Sequence, residues 1–372
     1  MLSRTSRYPI AIDMGCKNIY AVQLQKTRRG LSVQGMLHRE LDTDAAANPK
    51  QSRALKAFLT DISRDKGFSG KKAVLHLPPQ YILSVPIRFR VESTETVEAA
   101  ILRSAGGHLP FPVEAAIIDY PYLAPISSGN GDTHKATIIA VNRDDIDRYL
   151  PVIEVAGLSV EAVDFGVSSL SRLHQYLHPV PRDPIILCNV GHTQSMISVV
   201  TKESIFAHRN IPWGTGMLLD KIQANLEPIN EHYKAKALLR KYGLLHDTHG
   251  DGGDGVVSED PNEESTFDHM RRAVYQIITP LVDELIYELH KTIGYLRSEH
   301  DGAGIEEIHL YGQAASIYQM EGYVERRVSL PTRVVNPLTH LRLNDDAMLT
   351  HREDGGGFSL ALGLGMRKVS WL

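Results

Sequence analysis

The sequence has little cysteine, no large excess of either charge and no long apolar run. Among its 372 residues only Cys16 and Cys188 are cysteines, so at most one disulfide can form and the disulfide-scaffold classes are excluded. The formal net charge is -4 and the basic residues are spread along the chain, which argues against nucleic-acid binding. A chain of this length favours two domains or one large two-lobed fold.

Apolar stretches are too short for a membrane-spanning helix, which needs about 20 consecutive, mostly apolar residues. The stretch at 185–188 has the length of a strand, and the run at 9–12 is too short for the core of a signal peptide. We therefore expect a cytoplasmic protein that reaches a membrane only through a partner.

What the sequence does contain is an internal repeat of three short strands. Asp13-x-Gly15 ends the first strand of one copy, and Asn189-x-Gly191 ends the first strand of the other. Asp13 is as far from Asn189 along the chain as Gly15 is from Gly191, so the two turns are in register. The predicted strands are 8–13, 19–24 and 31–41 in the first copy and 184–189, 195–200 and 205–211 in the second. The pattern predicts two copies of one β-meander.

The segments around the two meanders predict further units. Strand-like runs at 74–87, 115–122 and 136–141, with helices at 94–108 and 144–156, predict an α+β module inserted in the first half. In the second half we predict helices at 217–226, 234–242 and 271–298, strands at 307–311 and 332–335, and a last helix at 358–368. Residues 246–266 are rich in glycine and acid and lack Lys and Arg, so a mobile acidic loop is expected there.

Two facing hairpin turns of this kind suit a phosphate site. Backbone N–H groups of such turns bind anions, glycine permits close approach, and an Asp at a strand end can hold the water shell of magnesium. A third small-residue turn at 312–315 could admit a flat purine. Asp13 also has a plainer interpretation, in which it ends its strand and bonds its own turn.

The ordered set of motifs resembles the type IV pilus assembly protein PilM family, bacterial actin-like proteins similar in fold to the cell-division protein FtsA. The matching pieces are IAIDMGCKN, LPFPVEAAIIDYPYL, AVNRDDIDRYLPVIEVAGLSVEAVDF, NVGHTQSMISVV, RNIPWGTGMLLDKI, HLYGQAA and ALGLGMR. The resemblance implies an α/β, actin-like (ribonuclease H-like) two-lobed fold with duplicated β-meander cores and an inserted α+β subdomain in the first lobe.

The resemblance also implies a nucleotide site that takes ATP with magnesium. Its residues would be Asp13, Gly15, Cys16, Lys17, Asn18, Asn189, Gly191, His192, Thr193, Gly214, Gly216, Gly312, Gln313 and Ala314, with Asp13 facing the metal. Three positions depart from the family pattern. The first turn has Cys16 where Ser or Thr is usual, the second begins with Asn189 instead of Asp, and Gln313 replaces a glycine. Loss of a carboxylate suppresses hydrolysis more than binding, so we expect a degenerate ATPase with no catalytic residue.

The resemblance places the lobe boundaries as follows. The first lobe would span 1–182, with its core at 8–72 and 157–182 and the inserted module at 73–156. The second lobe would span 183–372, with its core at 183–212 and 300–355 and a helical part at 213–299 that carries the loop 246–266. The last helix, at 356–370, would pack back on the core.

The functional expectation is a cytoplasmic scaffold of a type IV pilus or related secretion machine, peripheral to the inner membrane. By resemblance, it would bind the N-terminal cytoplasmic tail of a PilN-like inner-membrane protein and couple to the assembly motor ATPases. The alternative is an active ATPase or small-molecule kinase of the same superfamily, against which Asn189 argues.

One further pair of residues has two interpretations. His174 and His178 lie four residues apart, just before Pro179, and could share a metal ion. Because no third ligand is evident in the sequence, we expect a surface pair at the end of a helix.

Overall fold

The computed structural model describes residues 7–42, 45–126, 133–179, 184–201, 205–226, 231–245, 261–299, 304–343, 351 and 355–367, with the backbone alone at 7 and 261–266. The strands are β1 (Arg7–Met14), β2 (Asn18–Thr27), β3 (Gly30–Glu40), β4 (Lys72–His76), β5 (Leu83–Arg90), β6 (Ala116–Pro125), β7 (Thr133–Asn142), β8 (Ser159–Val163), β9 (Ile185–Val190), β10 (Ser195–Val200), β11 (Ile205–Ile211), β12 (Glu307–Gly312), β13 (Thr332–Val334) and β14 (Arg342–Leu343). The helices are α1 (Arg53–Arg64), α2 (Val97–Ala105), α3 (Arg143–Val155), α4 (Gly166–Leu177), α5 (Thr215–Asn225), α6 (His232–Lys241), α7 (Pro261–Glu299), α8 (Met320–Val328) and α9 (Ser359–Gly365).

Two sheets repeat one topology. In the six-stranded sheet, of order β14-β3-β2-β1-β4-β8, β1 to β3 form an antiparallel meander and β4 joins β1 in parallel. In the five-stranded sheet, of order β11-β10-β9-β12-β13, β9 to β11 form the same meander and β12 joins β9 in parallel. The duplicated meander predicted from the sequence is confirmed.

Each sheet has its own apolar core. The first core includes Ile12, Phe58 and Phe358, and the second includes Ile197, Leu285 and Leu310, all of them almost fully buried. The middle strands are buried on both faces, as expected for strands covered by helices on each side. These two cores fix the positions of the turns at the strand ends.

The inserted module is a three-stranded antiparallel sheet, of order β5-β7-β6, with α2 packed against it. The predicted run at 74–87 divides into β4 and β5 around a 3-10 turn at Pro79–Tyr81, because proline cannot donate to a strand ladder. The module's sheet also contacts the second lobe, where Ser84 Oγ donates to the carbonyl oxygen of His208 over 3.0 Å.

Two elements cross the predicted boundaries of this module. The module was expected to begin at residue 73, but β4 belongs to the six-stranded sheet. Helix α3 was also placed in the module, whereas its buried residues, among them Tyr149 and Ile153, join the first core. In both cases the partner lies far away in sequence, which a local pattern does not reveal. The exact lobe boundaries stay a proposal.

The helix α7 starts earlier than the sequence indicated. It begins at Pro261 rather than at 271, so the prediction that the acidic loop extends through 261–266 is wrong. The sequence Pro-Asn-Glu-Glu is a helix-start pattern, since proline suits the first turn and acids suit the N-terminal end of the helix dipole. Residues 246–260 of the predicted loop lie outside the described residues.

The chain returns to the first lobe at its C-terminal end. Helix α9 packs against β1, β2 and α4, and at Gly363 the two helices are so close that a Cβ would overlap the carbonyl oxygen of Ser169. The short strand β14 pairs with β3, which the sequence did not indicate. Across the part of the chain that the structure describes, no helix combines the length and apolarity needed to cross a membrane.

Candidate functional site

Three turns from the two sheets meet at one cavity of about 90 Å³. The first turn joins β1 to β2, the second joins β9 to β10, and the third follows β12. Most of the predicted site residues line this cavity, namely Asp13, Gly15, Cys16, Lys17, Asn18, Asn189, Gly191, His192, Thr193, Gly312 and Gln313. The structure therefore brings the predicted turns together, and their role in nucleotide binding stays a prediction.

The carboxylate of Asp13 is held by a histidine that the sequence analysis missed. Asp13 Oδ1 lies 2.7 Å from Nδ1 of His76, and both side chains are buried. The two residues are register partners on the parallel strands β1 and β4. A carboxylate can only accept, so His76 donates its Nδ1–H to Asp13. One of the two oxygens expected to face a metal therefore already has a protein partner.

The glycines of the two hairpin turns serve the turns themselves. Gly15 N–H donates to the carbonyl oxygen of Asn18 over 2.9 Å, and Gly191 N–H donates to Ser195 Oγ over 3.3 Å. A Cβ on Gly15 would lie 2.8 Å from the Asn18 oxygen, and one on Gly191 would overlap the oxygen of Gln194. These two amides therefore close their own turns rather than line an anion nest.

The N-terminus of α5 is likewise engaged by the second turn. Thr215 N–H donates to the carbonyl oxygen of Gly191 over 3.0 Å, and Gly216 N–H donates to that of His192 over 2.8 Å. Gly214 and Gly216 were predicted to line the site, but they do not line this cavity. They lie against His192 at the start of the helix. Burial, followed by the nearby His232 and Lys17, lowers the pKa of His192, so its imidazole is neutral near pH 7.

The third turn depends on a glycine with a positive φ. Gly312 has φ +70°, and a Cβ there would overlap the carbonyl oxygen of Val190 and lie 2.8 Å from Asn189 Oδ1. The side chain of Asn189 is thus directed at Gly312. Thr215 Oγ1 donates to Gln313 Oε1, which ties the third turn to α5. Ala314 is fully buried behind this turn and does not line the cavity, contrary to its predicted role.

The thiol of Cys16 joins the first turn to neighbouring elements. Its Sγ donates to Gln80 Oε1 over 2.7 Å, and it lines the first cavity together with Thr193 of the second turn. Burial raises the pKa of Cys16, so the thiol stays protonated near neutral pH. Burial also raises the pKa of Cys188 to about 12, and both residues are free thiols.

A second cavity, of about 220 Å³, adjoins the first. The two share Lys17, Asn18, His192 and Gln313 among their lining residues. The wall contains Tyr20 stacked on His38, with ring centroids 4.5 Å apart. The sequence pattern did not point to these rings, which reach the cavity from the start of β2 and from near the end of β3. The binding of a planar ring beside the third turn stays a prediction.

The residues present fit a magnesium ion poorly. Among the described residues that line the first cavity, Asp13 is the single carboxylate, and His76 occupies one of its oxygens. Magnesium prefers oxygen ligands and is usually held through one or two carboxylates. This lining therefore does not support a catalytic step through a magnesium ion.

Comparison with known proteins agrees with this architecture. One similar solved structure, described as a PilM-PilN type IV pilus biogenesis complex, matches over 97% of this chain and 98% of that chain at 16% identity, with a TM-score of 0.71. The ethanolamine utilization protein EutJ from Carboxydothermus hydrogenoformans matches over 96% of this chain and 89% of that chain at 11% identity, with a TM-score of 0.52. MreB5 of Spiroplasma citri bound to ADP matches over 96% and 95% of the respective chains at 13% identity, with a TM-score of 0.49.

Two meander-based sheets with their turns facing one cleft define an actin-like, two-lobed α/β protein. The family model for type IV pilus assembly protein PilM matches residues 11–242 and 266–369. The chain belongs to this family of type IV pilus assembly proteins.

Proposed function

We propose that the protein is a cytoplasmic actin-like scaffold that binds the N-terminal cytoplasmic tail of a PilN-like inner-membrane protein. Membership of the PilM family carries this proposal, and the similarity to a chain solved in a PilM-PilN complex supports it. The partner would hold the scaffold at the inner membrane, where it would couple the pilus base to the assembly motor ATPases.

The nucleotide site of this scaffold is degenerate under our proposal. Asp13 accepts a hydrogen bond from a buried histidine, and Asn189 supplies an amide where a second carboxylate would be needed. The N–H groups of the hairpin glycines and of the first residues of α5 donate to acceptors within the protein. ATP would therefore act as a ligand that stabilises the two-lobed state, and the protein would not hydrolyse it.

For the tail, we propose the cavity beside the inserted module. Its volume is about 330 Å³, and it lies between β5 and β7 of the module, β10 and β11 of the second lobe, and α7. Pro86, Ile197, Ala207 and Tyr295 give it an apolar character. Glu288 forms ion pairs with both Arg209 and Lys291 and so offsets one of the two positive charges of the lining. Such a lining suits an apolar side chain of the tail.

Calorimetry with a synthetic tail peptide of the PilN-like protein tests the proposal. The wild-type chain should bind the peptide, and Tyr295→Ala should weaken binding about tenfold, or ~1.4 kcal/mol. Tyr318→Ala is the matched control, since the two tyrosines are similarly exposed, at 41% and 44%, and Tyr318 lies outside this cavity. Equal binding by both variants would refute the location, and no peptide binding by the wild type would refute the scaffold.

Phosphate release from ATP with magnesium tests the degenerate site separately. We expect no multiple turnover over hours. Steady turnover that Asp13→Ala abolishes, together with no peptide binding, would instead establish an active ATPase or kinase.

A further inference from the structure

Three histidines from the two lobes meet where α4 connects them. His174 lies in the last turn of α4, His178 is its C-cap residue, and His309 lies in the middle of β12. The three ring centroids are 4.5, 4.6 and 4.9 Å apart. One ring nitrogen from each histidine lies within 4.8 Å of the other two.

The expectation of a surface pair without a third ligand is wrong. His174 is only 4% exposed and His309 only 1% exposed. The third ligand was invisible in the sequence because β12 reaches α4 only through the packing of the two sheets. His174 and His178 share one helix face at the i, i+4 spacing that metal sites use.

Neighbouring groups orient two of the rings. His174 Nδ1 lies 2.9 Å from the hydroxyl of Tyr311, and His309 Nε2 lies 2.6 Å from Glu307 Oε1. A histidine that gives one ring N–H to a carboxylate or oxygen presents the other nitrogen as a metal ligand. Nε2 of His178 is buried and has no hydrogen-bond partner among the described residues.

One carboxylate lies against the cluster, since Glu307 contacts His309. Of the charged groups around the cluster, Glu307 faces Arg333, whose Nε lies 3.9 Å from Glu307 Oε2.

We propose that His174, His178 and His309 bind one divalent transition-metal ion of the zinc type, with water as the fourth ligand. Imidazole ligands suit Zn²⁺ and its neighbours rather than Mg²⁺ or Ca²⁺. At metal–nitrogen distances of about 2.0–2.1 Å the ligand atoms of a tetrahedral site stand roughly 3.4 Å apart, so nitrogens now within 4.8 Å of one another must approach by up to about 1.4 Å. The ion would tie α4 of the first lobe to β12 of the second and so restrain the movement of the lobes.

The test uses the full chain, stripped of metal with a chelator and free of any affinity tag. Titration with Co²⁺ should give the visible absorption of a four-coordinate nitrogen site at one ion per chain, and Zn²⁺ should displace it. Zn²⁺ should also raise the melting temperature by linkage.

Two variants separate this site from adventitious binding. His178 is half-buried at the end of the helix, so the His178→Ala variant should still fold. Its affinity for the metal should fall at least about 100-fold, since loss of a group that only orients a ligand already costs 10–100-fold. His290→Ala, at an exposed position on α7, should bind like the wild type. Absence of the cobalt spectrum in the wild type, or equal affinity in wild type and His178→Ala, would overturn the proposal.

Discussion

Asp13 and His76 form a buried hydrogen-bonded pair across the parallel strands β1 and β4, with 2.7 Å between Oδ1 and Nδ1. Both residues line the first cavity, at the position where the family resemblance predicts a metal-facing carboxylate. His76 gives the carboxylate of Asp13 a structural partner in the same sheet, so removing that carboxylate should lower the free energy of unfolding.

We expect Asp13→Ala to lower the free energy of unfolding by about 1.5–3 kcal/mol, because a buried hydrogen bond to a charged acceptor is lost. Urea denaturation measures the change. Asp61→Ala is the matched control, because Asp61 pairs with Arg39 at the surface of the same lobe, 2.5 Å apart and with both side chains more than a third exposed. That surface pair should contribute at most about 1 kcal/mol. Equal losses in the two variants would contradict the buried role of Asp13.

The turns were predictable from the sequence, and their partners were not. Asp13-x-Gly15 and Asn189-x-Gly191 each combine a strand end with a tight turn, so a local pattern reveals them. His76 reaches Asp13 through parallel pairing of β1 with β4, and His309 reaches His174 through packing of the two lobes. Such contacts depend on register and topology, which one sequence does not specify locally. The predicted start of the inserted module at residue 73 differs from the structure for the same reason, because β4 pairs with β1.

Gly312→Ala should destabilise the protein by about 2 kcal/mol or more. The position combines a positive φ with no space for a Cβ beside Val190, and strain at such sites costs about 1–3 kcal/mol before any overlap. Gly157→Ala is the control, since Gly157 has φ +83° but nothing within 4 Å of a Cβ. Thermal unfolding of both should show the larger loss at Gly312, and the reverse order would contradict this account of the third turn.

Asp164 joins α4 to the C-terminal end of the chain. Its Oδ2 accepts from Arg172 and forms an ion pair with Arg367 at 3.0 Å, while its side chain is only 4% exposed. Replacing it with Asn should cost about 1.5–3 kcal/mol, because two half-buried arginines would lose the charge of their buried acceptor. Asp145→Asn removes a pair with Arg148 on α3, whose side chain is 52% exposed, and should cost no more than about 1 kcal/mol. Similar midpoints in urea for the two variants would refute the buried role.

The last prediction concerns stability at acid pH. His208 is half-buried on β11 with its Nδ1 3.0 Å from Ser198 Oγ, and desolvation by the surrounding protein, followed by the nearby His76, lowers its pKa from 6.5 to about 4. The unfolded chain then binds a proton more readily than the folded one, so stability is full above pH 6.5 and falls as pH drops towards 4. His208→Gln should flatten this part of the curve of unfolding free energy against pH. The exposed control His290→Gln should leave it unchanged, and an unaltered slope in His208→Gln would show that other groups bind the proton.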